Sequence, residues 1–249
     1  MMEAIYIMWL RQLKRYWRSK SRVIGSLAQP VLFLVALGFG FGPIFEKAGG
    51  GNYIQFLAPG IIAMSVLFTS MFNGISLIWD KQFGFLKETL VAPVSRAKIL
   101  LGRTLGGATV ATIQGIFVLI ISYIIGFRIE NFIMLPIALL FMFLIALLFT
   151  ALGTTIASKL EDMEGFQLIM SFLIMPIFFM SGALFPVEDL PNPLKIVTVL
   201  NPLSYGVDGL RCALNGIFNT AILKDIAVLV VIISIILAIG TYLFSKIEA

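Results

Sequence analysis

Apolar residues run through this chain in long blocks rather than in alternation. A hydrocarbon layer of about 30 Å asks for about 20 residues of apolar helix. Six runs without a charged residue are long enough: 23–45, 48–79, 104–127, 131–158, 165–187 and 226–245. Two further runs, 196–207 and 212–223, are 12 residues each and too short to span. No stretch alternates polar and apolar residues over strand lengths, so a transmembrane barrel has no support. Residues 1–22 carry a different pattern. Ile5, Trp9, Leu13 and Tyr16 recur at helical spacing, while Arg11, Lys14, Arg15, Arg18 and Arg22 leave that stripe. This predicts an amphipathic helix ahead of the first span, suited to a lipid surface and to contact with a cytoplasmic partner.

The pattern predicts an all-α, polytopic membrane protein: an amphipathic helix at 1–22, then one six-span domain over 23–249. Composition agrees, with 59% hydrophobic and 12% charged residues in 249 and a mean hydropathy of +1.02. A signal peptide is disfavoured because the first apolar run is 23 residues, beyond the 7–15 of a secretory core. Formal net charge is +5, and its distribution points to topology rather than nucleic acid. With a cytoplasmic N-terminus and six alternating spans, 13 Lys/Arg fall inside and 5 outside. The positive-inside rule then places both termini in the cytoplasm.

Within the spans, polar residues are few and patterned. Ser65, Thr69, Asn73 and Ser76 fall on one helical face, and Gln114 stands alone in the third span. These residues could line a polar pathway or bond to a neighbouring helix. Gly102, Gly106, Gly107 and Gly115 mark close helix packing. Between 180 and 223, prolines at 186, 191, 193 and 202 prevent one continuous helix. The two 12-residue runs there, either side of Asp208 and Arg211, are predicted to dip in from the external face. Asp208 and Arg211 are spaced to pair on one helix.

The most conspicuous interruption is 80–103, DKQFGFLKETLVAPVSRAKILLGR. It gathers five Lys/Arg and two acids in 24 residues. Glu88 and Arg96 flank an apolar patch of Leu90, Val91, Ala92, Pro93 and Val94, the composition of a small docking surface with a charged rim. A plain connector between antiparallel helices needs only about 2–8 residues.

Much chemistry is absent from the sequence. With no histidine and one cysteine, Cys/His metal sites and His-assisted nucleophiles are excluded, and no catalytic residues are assigned. The long runs hold no ionisable residue of the kind proton- and ion-coupled carriers place in their spans. A GxxxxGK[ST] phosphate loop is missing, so ATP hydrolysis would need another polypeptide.

Three motifs, FGFLKETLVAPVSRAKILLGR at 83–103, SGALFPVEDLP at 181–191 and NPLSYGVDGLR at 201–211, resemble the membrane subunits of ATP-binding-cassette type-2 exporters. The likeness is to the daunorubicin-resistance and nodulation-factor-export type, and it covers essentially the whole chain. It implies a homodimeric or heterodimeric permease in membrane lipid. Each copy docks a separate ATPase subunit that binds ATP and magnesium, and this chain binds no cofactor. By position, Lys87, Glu88, Pro93, Val94, Ser95 and Arg96 fall in or beside a coupling helix, with Leu90 in its apolar patch. External re-entrant helices within 182–223 would close the exit, involving Gly182, Pro186, Pro191, Asn201, Pro202, Asp208 and Arg211. Asp80–Lys81 departs from the family, where relatives often carry an Arg/Glu-rich pair. The implied cargo is a lipophilic or amphipathic drug, lipid or glycolipid-like compound. The alternative from another class is a stand-alone carrier or channel.

Overall fold

The computed structural model describes residues 3–49, 51–91, 93–187 and 191–246, and over these the chain forms helices and connections with no strand. The amphipathic start is α1 (Glu3–Arg18), which breaks at Ser19 and continues as α2 (Lys20–Lys47). Then follow α3 (Tyr53–Gln82), α4 (Phe85–Val91), α5 (Arg96–Ile125) and α6 (Leu135–Lys159), the last entered by a 3₁₀ turn at Phe132–Met134. The chain ends with α7 (Met163–Phe179), α8 (Asn192–Leu200), α9 (Pro202–Leu214) and α10 (Ala221–Ser245).

Among the described residues, five helices are long and apolar enough to cross a bilayer: α2 from Val23, α3, α5, α6 with its entry turn, and α10. The run expected to supply another, 165–187, is helical only as α7. Its backbone widens into a π turn over Met170–Ile174, just ahead of Pro176, whose ring and missing amide disfavour a regular α turn. Gly182, at φ +75°, then turns the chain in a conformation that side chains resist. At 1.5 Å per residue α7 measures about 26 Å.

Helix α3 is the hub, and Leu57–Leu67 is buried almost without exposure. Small residues set its contacts. A methyl group on Gly74 would sit 2.6 Å from the carbonyl oxygen of Gly153 in α6, and one on Gly115 of α5 would sit 2.6 Å from Val66. By contrast α2 lies at the edge, with Leu34 buried and Phe39, Phe41 and Ile44 exposed. That leaves an apolar outer face suited to lipid.

The amphipathic helix does more than a surface anchor requires. It packs lengthwise on α5, where Gly102 and Gly106 remove the side chains that would block it. A methyl on Gly102 would lie 2.8 Å from the Ile5 carbonyl oxygen, and one on Gly106 would lie 2.8 Å from Gln12 Cβ. Trp9 Nε1 donates to Thr109 Oγ1 at 3.0 Å, and the Tyr16 hydroxyl donates to Gln114 Oε1. Burial pushes the Tyr16 phenol up to about 12, so it stays protonated as the donor. Gly106→Leu is therefore expected to prise α1 off α5 and lower stability by about 1–3 kcal/mol, as forced overpacking does. Thermal unfolding in detergent, with tryptic accessibility of α1, measures it.

The 180–223 region also differs from its expectation. The short helices are 192–200 and 202–214 rather than 196–207 and 212–223. Pro202 cannot continue a preceding helix but fits the first turn of a new one. Asn201 caps that new helix, its Oδ1 accepting from the Leu203 amide at 2.9 Å. Gly216, at φ +67°, follows the end of α9, so residues 215–220 are a turn.

Candidate coupling and transport site

Helices take in both ends of the 80–103 stretch, leaving residues 83–95 as the connection around α4. Asp80, in the last turn of α3, is buried at 4% exposure and faces Arg103 of α5, buried at 2%. Arg103 Nη2 lies 2.7 Å from Asp80 Oδ2. Arg11 of α1 meets the same carboxylate through both terminal nitrogens at 3.1 Å, and Arg15 approaches to 3.9 Å. One carboxylate thus gathers guanidinium groups from two helices and locks α1 onto the α3–α5 pair. The next residue, Lys81, donates to the carbonyls of Ala157, Ser158 and Leu160 at 3.0, 2.6 and 3.1 Å. It caps the C-terminus of α6, where unbonded carbonyls and the helix dipole favour a cation.

Gly84, at φ +77°, turns the chain out of α3 into α4. Along the connection, Leu86 points inward at 2% exposure, whereas Phe83, Phe85 and Val91 stand 71%, 51% and 80% exposed. Glu88, Pro93 and Ser95 are also exposed, and Val94 packs partly against the core. Arg96 is half-buried and donates to the Ser245 carbonyl at 2.6 Å, tying the start of α5 to the end of α10. Ala92 and the side chains of Lys87 and Leu90 lie outside the described residues. The outward surface is therefore Phe83, Phe85, Glu88, Val91 and Pro93, of which the sequence reading missed the two phenylalanines.

Beside the charged cluster, a cavity of about 510 Å³ opens between α1, α2 and α3. Ser65, Thr69, Asn73 and Ser76 line it together with Phe68, Phe72 and Trp79. Asn73 also bonds within the bundle, its Nδ2 donating to the carbonyls of Thr69 and Gly107 at 3.0 and 3.2 Å. The Ser65 hydroxyl is buried with no hydrogen-bond partner among the described residues. Gln114 lies outside this cavity, buried against Tyr16. The polar stripe thus both packs and lines a space, while Gln114 anchors α1.

At the other end of the bundle, Arg211 crosses from α9 to donate to the Gly182 carbonyl at 2.8 Å, and its guanidinium lies 4.0 Å above the Phe56 ring. Asn201 Nδ2 donates to the Ile177 carbonyl at 2.6 Å, pinning the start of α9 to α7. Gly206 and Gly209 bring α9 against Ile145 and Phe141 of α6. Asp208 and Pro191 are exposed, and Pro186 and Pro202 are partly buried. Residues 188–190 lie outside the described range.

Helix α1, the connection around α4, the cavity and α9 all fall within residues 3–215, which match the family described as ABC-2 type transporter. The chain belongs to that family. Its relatives include Nodulation protein J of Rhizobium leguminosarum bv. viciae, 27% identical over 90% of this chain and 86% of that one. The inner membrane transport permease YadH of Escherichia coli K12 is 27% identical over 92% and 90%. The ycf38 protein of Porphyra purpurea is 31% identical over 93% and 84%. This ABC-2 protein is a multi-pass membrane transport permease. Its family-matched range takes in the buried Asp80 cluster, so that cluster and the cavity beside it belong to the permease body.

Proposed function

We propose that this chain is the permease subunit of an ATP-driven exporter, worked by a separate ABC ATPase that binds ATP and magnesium. The observation that carries the reading is the connection 83–95, which holds Phe83, Phe85 and Val91 out to solvent beside Glu88. Exposed aromatic and aliphatic side chains with a charged neighbour are the composition of an interface core and rim. In this reading α7 makes the fifth of six crossings, both termini and α4 face the cytoplasm, and the 182–223 region closes the outer mouth with re-entrant helices. Two permease copies form the transport unit, as homodimer or heterodimer.

The cargo is lipophilic or amphipathic: a drug, a lipid or a glycolipid-like compound. The cavity supports this class, because a row of hydroxyls and an amide shares one space with the rings of Tyr16, Phe68, Phe72 and Trp79. A single small ion would find mostly apolar surface there.

Co-reconstitution in liposomes tests the reading against a stand-alone carrier or channel. A fluorescent amphiphile is expected to move only when both the ATPase and ATP are present. Sustained flux down a gradient through the permease alone would overturn the ATP-driven reading.

A further inference from the structure

The elbow between α1 and α2 is concave and strongly basic. A depression of about 910 Å³ is bordered by Arg11, Lys14, Arg15, Arg18 and Lys20, and no acidic side chain lines it among the described residues. Asp80 reaches two of these cations from behind, yet it is shared with the buried Arg103. Positive charge is therefore in excess. Charges that only set topology can spread out into solvent; Lys14, Arg18 and Lys20 instead share one hollow with the Asp80-bound Arg11 and Arg15, where like charges repel unless an anion sits between them.

The surroundings select the kind of anion. Ile7, Trp17 and Ile24 stand 61%, 55% and 70% exposed around the elbow, just where the first spanning run begins at Val23. An apolar fringe around a basic hollow at the entry to a spanning helix suits an anionic head with acyl chains beside it. Guanidinium groups give paired hydrogen bonds to phosphate oxygens, and lysines add point charge. We propose that the α1–α2 elbow is a binding site for the phosphate headgroup of an anionic membrane lipid. Because Arg11 also bonds Asp80, a lipid phosphate there bears on the contact that holds α1 to the bundle. The site is independent of what the permease transports.

Native mass spectrometry of the purified full-length chain, incubated with equal amounts of phosphatidylcholine and phosphatidylglycerol, tests the proposal. Phosphatidylglycerol is expected to be retained preferentially. The K14Q/R18Q/K20Q variant should lose that preference at least about tenfold, while K98Q/K159Q/K246Q, which removes as many cations elsewhere, keeps it. Should the first triple variant fail to fold, Arg18→Gln alone should lower retention about threefold. Equal retention of both lipids, or equal loss in both triple variants, overturns the site. Displacement of the lipid by millimolar inorganic phosphate as readily as by soluble glycerophosphoglycerol would show a general phosphate site and overturn the lipid assignment.

Discussion

Asp80→Asn is expected to free α1 from the bundle and cost about 3–5 kcal/mol, the range for removing one partner of a buried charged group. Asp80 is 4% exposed and Arg103 2%, so losing the carboxylate strands a guanidinium in a place water does not reach. The Nε and Nη1 atoms of Arg103 already lack an acceptor among the described residues, which leaves Asp80 as its counter-charge. Arg11 would lose both of its 3.1 Å contacts. Chemical denaturation in detergent reads the loss, and trypsin should cut α1 at Arg11 and Arg15 far faster than in the parent. Replacing the pair together, Asp80→Leu with Arg103→Met, should recover most of the stability, since the penalty lies in the unpaired charge rather than in the pair itself. Unchanged stability in Asp80→Asn would refute the ion cluster as the lock on α1.

The second large effect concerns the connection around α4. Phe83, Phe85 and Val91 contribute little to the fold because they are mostly exposed. Converting all three to Ser should leave unfolding unchanged within about 0.5 kcal/mol, as surface changes do. In our reading the same variant loses at least about 100-fold in affinity for the ATPase, since hot-spot residues cost about 2 kcal/mol or more each when truncated. Surface plasmon resonance with the permease in nanodiscs measures the affinity. Arg96→Ala is a useful contrast: its bond to the Ser245 carbonyl predicts a change in stability as well as in coupling.

Much of this architecture is legible in the sequence because apolar length is a direct physical requirement of a bilayer. Glycine spacing likewise announced a close approach on α5, although not that its partner would be α1. The Asp80 cluster was harder to see, because a charge next to an apolar run reads first as topology. A clue was present even so. Asp80 ends one run and Arg103 precedes the next, and an antiparallel hairpin brings such ends together. The helix boundaries near 201 and 216 depend on one proline, one capping asparagine and one glycine in positive φ, local features that a count of uncharged residues ignores. Nothing in the spacing of Phe83, Phe85 and Leu86 says which of the three points outward, and of them the structure buries only Leu86.

In our reading the α4 connection meets an ABC ATPase on the cytoplasmic side. Photo-crosslinking in intact membranes tests it most directly, with a photoreactive amino acid placed at Phe85 or Val91 and, as control, at Ile133, which is 86% exposed at the opposite end of the bundle. An adduct with the ATPase is expected from Phe85 and Val91 and none from Ile133. No adduct at either loop position, or equal adducts at all three, would contradict it.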